Sequence, residues 1–294
     1  MVVEQGSARP KIPRLSYEYF SRTVDPITRE RVGYVPLERA VIFPGVVTFN
    51  ESDYVLDLGS GPGDSMDYLM SSARSCVRDK IHWLASEPSV LDCEVIRGRF
   101  GGRVGVANLD AVAAVKYAKN YNKIFFINGI HLLSPQGRAE LFKSIRPGQE
   151  FTFTSTFIEE GLSSKVQEEV IAPWIETLFS EARDHGLDRR AMVKKMREVK
   201  EQTWSMERYK EELNNAAFNV RLFALEEMPC TWESYRTISH FPPFVKNIFP
   251  DEVSDRTAAV LSFRALMKTM HRLGKNWNDP APRNTLVVVV RKAT

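Results

Sequence analysis

Apolar positions along the chain follow two periods. Short runs rich in β-branched and aromatic residues, at 53–58, 81–86, 102–107, 122–128 and 150–157, predict strands. Between them, 64–75, 89–98, 110–120 and 134–145 predict helices. Such alternation predicts an α/β fold, a mostly parallel sheet with helices on both faces. From 163 to 217 the strands stop and helical spacing takes over. Val166, Val170, Ile171, Ile175, Leu178, Phe179 and Ala182 recur every few positions. Ser164 and Gln167 have capping-box spacing, Pro173 predicts a kink, and Gly186 suits a helix end. A basic helix at 188–202 and another at 206–217 follow. Strand character returns at 219–226. A loop rich in aromatics and proline then runs from Trp232 through Tyr235 and His240 to Phe244, ahead of a long helix at 254–273. The last run, Thr-Leu-Val-Val-Val-Val-Arg at 285–291, is apolar enough to be buried on both faces.

These patterns predict seven strands and four segments. Residues 1–45 form a tail and cap helices: 1–13 carry Gly6, Pro10 and Pro13, and 14–45 are aromatic-rich. Residues 46–162 form the first part of the sheet, and 203–294 complete it. Residues 163–202 are a helical insertion over the carboxyl edge, placed to act as a lid, since long insertions in compact domains are often functional.

Composition narrows the function classes. A chain of 294 residues with 43% hydrophobic content is long enough for one large core. A net charge of +3 from 40 basic and 37 acidic residues gives no global pull toward nucleic acid or an anionic membrane. Cys76, Cys93 and Cys230 are widely spaced, so neither a disulfide framework nor a metal site is expected. No apolar run has the length of a membrane span, and the expected location is cytoplasmic.

The most specific chemistry lies at 53–64, Asp-Tyr-Val-Leu-Asp-Leu-Gly-Ser-Gly-Pro-Gly-Asp. A strand enters three alternate glycines, Gly59, Gly61 and Gly63, and a helix follows. Glycine permits positive φ and close approach of a ligand, and the helix start presents backbone N–H groups. Asp57 lies in the strand end and Glu87 ends the next strand, before Pro88. A nicotinamide-binding turn more often reads Gly-x-Gly-x-x-Gly, with its third glycine one residue later. The composite resembles motif I of the class I S-adenosylmethionine-dependent methyltransferases, closely over 53–157 and loosely over 203–294.

That resemblance implies a Rossmann-like sheet of seven strands whose last strand inserts antiparallel, with S-adenosylmethionine as cofactor. Gly59, Ser60, Gly61 and Gly63 are the turn through which backbone meets the methionine and ribose portions. Asp57 would accept from the amino group, and Glu87 from the ribose hydroxyls. Asp110 and Ala111, with Asn108 as the rival one turn of register away, would meet the adenine. Asp110 also suits an N-cap. Asn128 would line the cofactor near the sulfonium, and Tyr17 or Tyr19 would close over it.

The acceptor class narrows by what is missing. After the fourth strand the chain reads Asn128-Gly-Ile-His131, without the Asn/Asp-Pro-Pro-aromatic signature of amino-methylating nucleic-acid enzymes. Cys230 lies after the sixth strand, away from where a cytosine-methylating thiol is needed, and reads as structural. The basic helix reads as a solvated amphipathic face. A small-molecule acceptor is the remaining expectation, most simply by O-methylation, in a branch like those of quinone biosynthesis and secondary metabolism. His131 is the candidate base and His240 the runner-up. The aromatics Trp174, Phe179, Trp204, Trp232, Tyr235 and Phe244 would wall an apolar pocket. No nucleic-acid, membrane or metal partner is expected, and assembly of identical copies stays open. The alternatives are a cofactor-binding protein that catalyses a cyclisation or rearrangement, and a protein or RNA methyltransferase.

Overall fold

A computed structural model describes residues 33–240, 245 and 247–294. Tyr17, Tyr19 and Phe244 lie outside the described residues. The strands are β1 Tyr54–Leu58, β2 His82–Ser86, β3 Val104–Ala107, β4 Lys123–Phe126, β5 Glu150–Ser155, β6 Phe218–Met228 and β7 Arg283–Lys292. They form one sheet in the order β3-β2-β1-β4-β5-β7-β6. Strands β1 to β5 pair in parallel, and β7 pairs antiparallel with both β5 and β6. The count of seven strands matches the sequence prediction, and β7 is inverted as the family resemblance implied. Leu286 to Val290 have no exposed surface because β7 is covered on both faces. Val287 and Val289 enter one core, and Leu286, Val288 and Val290 enter the other.

Helices α1 Asp64–Ser72, α2 Val90–Phe100, α3 Ala111–Tyr117 and α4 Pro135–Ser144 flank the first strands. Three start at side-chain caps: Ser89 accepts from Asp92 N, Asp110 from Ala113 N, and Ser134 from Gly137 N. Helical turns at Val35–Leu37 and Glu38–Ile42 precede the sheet, and Tyr34 stacks on Tyr68 of α1 at 4.5 Å. Strand β4 stops at Phe126, short of the predicted end at 128, because Ile127 and Asn128 turn the chain.

Two excursions leave the carboxyl edge, where ligands bind in such sheets. After β5 come α5 Ala172–Asp184 and α6 Arg189–Gln202, and then α7 Met206–Asn215 returns to the sheet with Tyr209 and Leu213 in its core. After β6 come α8 Trp232–His240 and α9 Asp255–Leu273, which leads into β7. The excursions share a third core, with Trp174, Leu178 and Met192 from the first and Trp232, Tyr235, Leu261 and Leu266 from the second. Trp174 Nε1 donates to Ser262 O at 3.0 Å, and Lys268 pairs with Glu181. The cap is therefore built from α5 and α6 together with α8 and α9.

Several local expectations are corrected. The cap before 164 is Ser163, whose hydroxyl accepts from Val166 N at 3.2 Å. Pro173, expected to kink this stretch, stands at the start of α5 directly after a π-type turn at Gln167–Ile171, within a continuous helical run. Residues 232–240 are helix α8, not loop: Trp232, Tyr235 and Ile238 fall on one buried face. On α6 Met192 is buried but Val193 is exposed beside the basic residues. Among the described residues no helix is long and apolar enough to cross a membrane.

Candidate functional site

Strand β1 reverses into α1 through Gly59, Ser60, Gly61, Pro62 and Gly63. The three glycines have φ of 60°, 52° and 92°, a region that L side chains rarely adopt. A Cβ on Gly63 would lie 2.7 Å from Phe100 Cε2, and one on Gly59 would lie 3.1 Å from Phe126 Cε2. Ser60 N donates to Ser86 O at 3.1 Å, which ties the turn to the end of β2. Conformation and packing both demand glycine here, as a backbone cradle would.

Two carboxylates serve this turn differently. Asp57 is fully buried. Its Oδ2 accepts from Ser65 Oγ at 2.5 Å, while Oδ1 has no partner among the described residues. Burial pushes its pKa up from 3.8 to about 7, against the lowering effect of the Ser65 and Ser60 hydroxyls. A buried carboxylate oxygen with no protein donor is a place for a ligand, an ion or an ordered water. Glu87 sits just past β2. Its Oε2 accepts from Gly61 N at 2.9 Å and its Oε1 from Ser89 N at 3.0 Å. Each oxygen keeps a lone pair for a further donor.

Beyond β2, the Asn108 amide donates to Glu87 O at 3.0 Å and to Pro88 O at 2.9 Å, locking the loop that holds the acid. Asp110 is exposed and caps α3, with Oδ1 accepting from Ala113 N at 2.8 Å. Ala111 is buried at the head of that helix. So Asp57, Gly59, Ser60, Gly61, Gly63, Glu87, Pro88, Asn108, Asp110 and Ala111 all occupy the carboxyl ends of β1, β2 and β3. Tyr19 lies outside the described residues.

The ends of β4 and β5 carry a second polar cluster. Asn128 adopts φ of 48° and bridges the strands: its N donates to Thr154 Oγ1 at 2.9 Å, and its Oδ1 accepts from Thr156 N and Oγ1. His131 Nδ1 lies 3.4 Å from Ser155 Oγ, and its ring is 4.3 Å from that of Phe157. Loss of hydration, with the Arg283 and Arg138 charges, pulls its pKa from 6.5 down to about 3, so the imidazole is neutral. His240 is not in a loop beyond β6; it ends α8, with Nδ1 2.9 Å from Arg236 O and its ring against Phe263.

Cys93 and Cys230 are buried and Cys76 is exposed, all unbridged. Burial pushes the Cys230 thiol up to about 11, which makes it a poor nucleophile. Trp174, Trp232 and Tyr235 are buried inside the cap, and Trp204 lies under the Arg138 guanidinium at 4.1 Å. Sequence reading missed Ser65, which signals itself only as a hydroxyl in the first turn after the glycines. It also missed Thr154, Thr156 and Arg283, which no local pattern marks.

A scan against protein-family models finds no match, and no curated protein sequence matches. Solved structures resemble this chain at low identity. Phosphoethanolamine N-methyltransferase 2 of Haemonchus contortus, in complex with S-adenosyl-L-methionine, is 14% identical over 89% of this chain, with a TM-score of 0.46. This chain spans 52% of that protein's length. The [4+2]-cyclase SpnF is 14% identical over 93% of this chain and 85% of its own, at a TM-score of 0.47. The MccD protein is 10% identical over 92% of this chain and 100% of its own, at 0.46. Such likeness says nothing of activity, and the sheet order stands on its own hydrogen-bond ladder.

Proposed function

We propose that the protein is an S-adenosylmethionine-dependent methyltransferase acting on a small-molecule acceptor. The observation that carries this reading is the buried Asp57 Oδ1, unpartnered among the described residues, at the strand end that enters three left-handed glycines, with Glu87 bonded to the turn. The residues fit the cofactor: Asp57 would receive its cationic amino group, Glu87 its ribose hydroxyls, and Gly59 to Gly63 its nearby backbone contacts. Asn108, Asp110 and Ala111 would frame the adenine, and Asn128 would border the reacting end. When bound, the cofactor supplies an electrophilic methyl group on a good leaving group.

The chain's own contribution is then mainly positional. Holding an acceptor atom in line for displacement is worth about 7–11 kcal/mol. His131, neutral at physiological pH, accepts a hydrogen bond from the acceptor and orients it. A base with a pKa of about 3 takes little of a proton at neutral pH, so its share in catalysis is modest. Residues 163–202, with α8 and α9, form the lid that excludes water. Incubation with S-adenosylmethionine and a panel of phenols, amines and hydroxy acids tests the reading. Methylated product together with S-adenosylhomocysteine is the expected result. Conversion without S-adenosylhomocysteine would assign a non-methylating reaction instead.

A further inference from the structure

The acceptor side contains a buried positive charge that no carboxylate among the described residues neutralises. Arg283 opens β7 at the carboxyl edge and is 8% exposed. Its Nη2 donates to Thr156 O at 3.0 Å, and its guanidinium lies 5.1 Å from the Phe157 ring centroid. It has no carboxylate partner among the described residues, and its Nε–H is unmet. An uncompensated buried charge is strongly unfavourable, so such a group is normally paired.

Two more buried polar groups, one on β7 and one on α8, lack partners among the described residues. Thr285 is two residues along β7, on the same face of the strand, and its Oγ1 is unmet. Tyr235 on α8 is 1% exposed, and its hydroxyl is unmet as well. The segment bearing it is stitched to the approach to β7: Ala281 N donates to Cys230 O at 2.9 Å, and Glu233 N to Trp277 O at 2.9 Å. The Arg283 charge is felt at both Tyr235 and His131. Arg138 is also buried and its Nε–H is likewise unmet, but its fork is engaged: it donates to Gln202 O at 2.7 Å, at the carbonyl end of α6, and to Tyr209 Oη at 3.5 Å, and it stacks on Trp204 at 4.1 Å.

We propose that Arg283, Thr285 and Tyr235 form an oxyanion-binding cradle, and that the methyl acceptor is a small molecule carrying a carboxylate or phosphate group. The proposal rests on the methyltransferase reading and narrows its substrate class. Arg283 touches Thr156, and Thr156 touches Asn128, so the cradle adjoins the place where the reacting end of the cofactor would lie. A guanidinium with flanking hydroxyls suits a planar or tetrahedral oxyanion, and burial excludes a large polyanion.

The test uses inorganic phosphate and acetate as probes, at ionic strength held constant with chloride, with binding read by thermal shift and calorimetry. Saturable binding of at least one probe is expected, and the stronger probe separates phosphate-bearing from carboxylate-bearing acceptors. Arg283→Gln should weaken it at least about tenfold, Arg283→Lys should recover part, and exposed Arg221→Gln should leave it unchanged. If Arg283→Gln fails to fold, Tyr235→Phe, which keeps shape and charge, should weaken binding about fivefold. No saturable binding, or equal binding by Arg283→Gln, or by Tyr235→Phe where that variant stands in, overturns the cradle. S-adenosylhomocysteine is titrated in parallel. Its failure to bind the wild type would sink the methyltransferase reading while leaving the cradle intact.

Discussion

The two halves of the carboxyl edge are built in opposite ways. Below β1, β2 and β3, every candidate group falls within residues 57–111, in the turns and caps that follow those strands, with Glu87 tied to the glycine turn and Asn108 to Glu87. Beyond β4, β5 and β7, the groups come from 128, 131, 154–157, 235 and 283, brought together by distant parts of the chain. The first half offers backbone and carboxylates, the second guanidinium, imidazole and hydroxyls. A cationic, sugar-bearing ligand suits the former and an anionic one the latter. The contrast implies that a site made of local turns is fixed by short-range sterics, whereas one assembled across the cap depends on the cap remaining folded.

The strongest way to break this comparison is to empty the cap. Trp174 on α5 is fully buried against α9, so Trp174→Ala should destabilise the protein by about 3–5 kcal/mol in urea melts. It should impair the acceptor half more than the binding of S-adenosylhomocysteine. Equal loss in both halves would show that they fold as one unit.

Asp57 gives an effect of similar size through pH. Its folded pKa is raised, so its contribution to stability is fully present below 3.8 and is lost as pH rises through about 7. The loss is on the order of 4 kcal/mol, and Asp57→Asn should therefore be more stable than the wild type at pH 8 without ligand. Melts at pH 5 and pH 8 check this, and a pH-independent difference would contradict the raised pKa. Next, Gly63→Val forces a side chain at φ of 92° into Phe100. It should cost about 3 kcal/mol and abolish cofactor binding. The smallest effect is at His131: His131→Ala should lower turnover about tenfold, with cofactor affinity unchanged. A true general base would show about 10²–10⁴. Because the imidazole stays neutral above about pH 3, turnover should show no histidine limb between pH 5 and 8.

The same contrast explains what could be read in the sequence. The strand–glycine–helix unit, the acid after β2 and the apolar strand predicted at 285–291 were legible because each is a short-range pattern, whereas the inversion of that strand came only from the family resemblance. Asp110 was legible as a cap for the same reason. The 163–202 helices were legible as helices. Their pairing with 232–273 was not, since apolar spacing shows that a face is buried but not against what. His240 was misplaced because the periodicity of Trp232, Tyr235 and Ile238 was hidden beside proline-rich text. Arg283 carried no signal at all: before folding it is one basic residue next to a strand.

The central claim, that the glycine turn with Asp57 and Glu87 holds S-adenosylmethionine, is tested most directly by calorimetric titration of S-adenosylhomocysteine at pH 6 and pH 8. Wild-type protein should bind, and about tenfold more tightly at pH 8, where Asp57 is ionised and can meet the ligand's ammonium group. Asp57→Asn and Glu87→Ala should each weaken binding by about 1.5–3 kcal/mol, and Asp57→Asn should lose the pH dependence. No heat from the wild type, or wild-type affinity in both variants, would contradict the account.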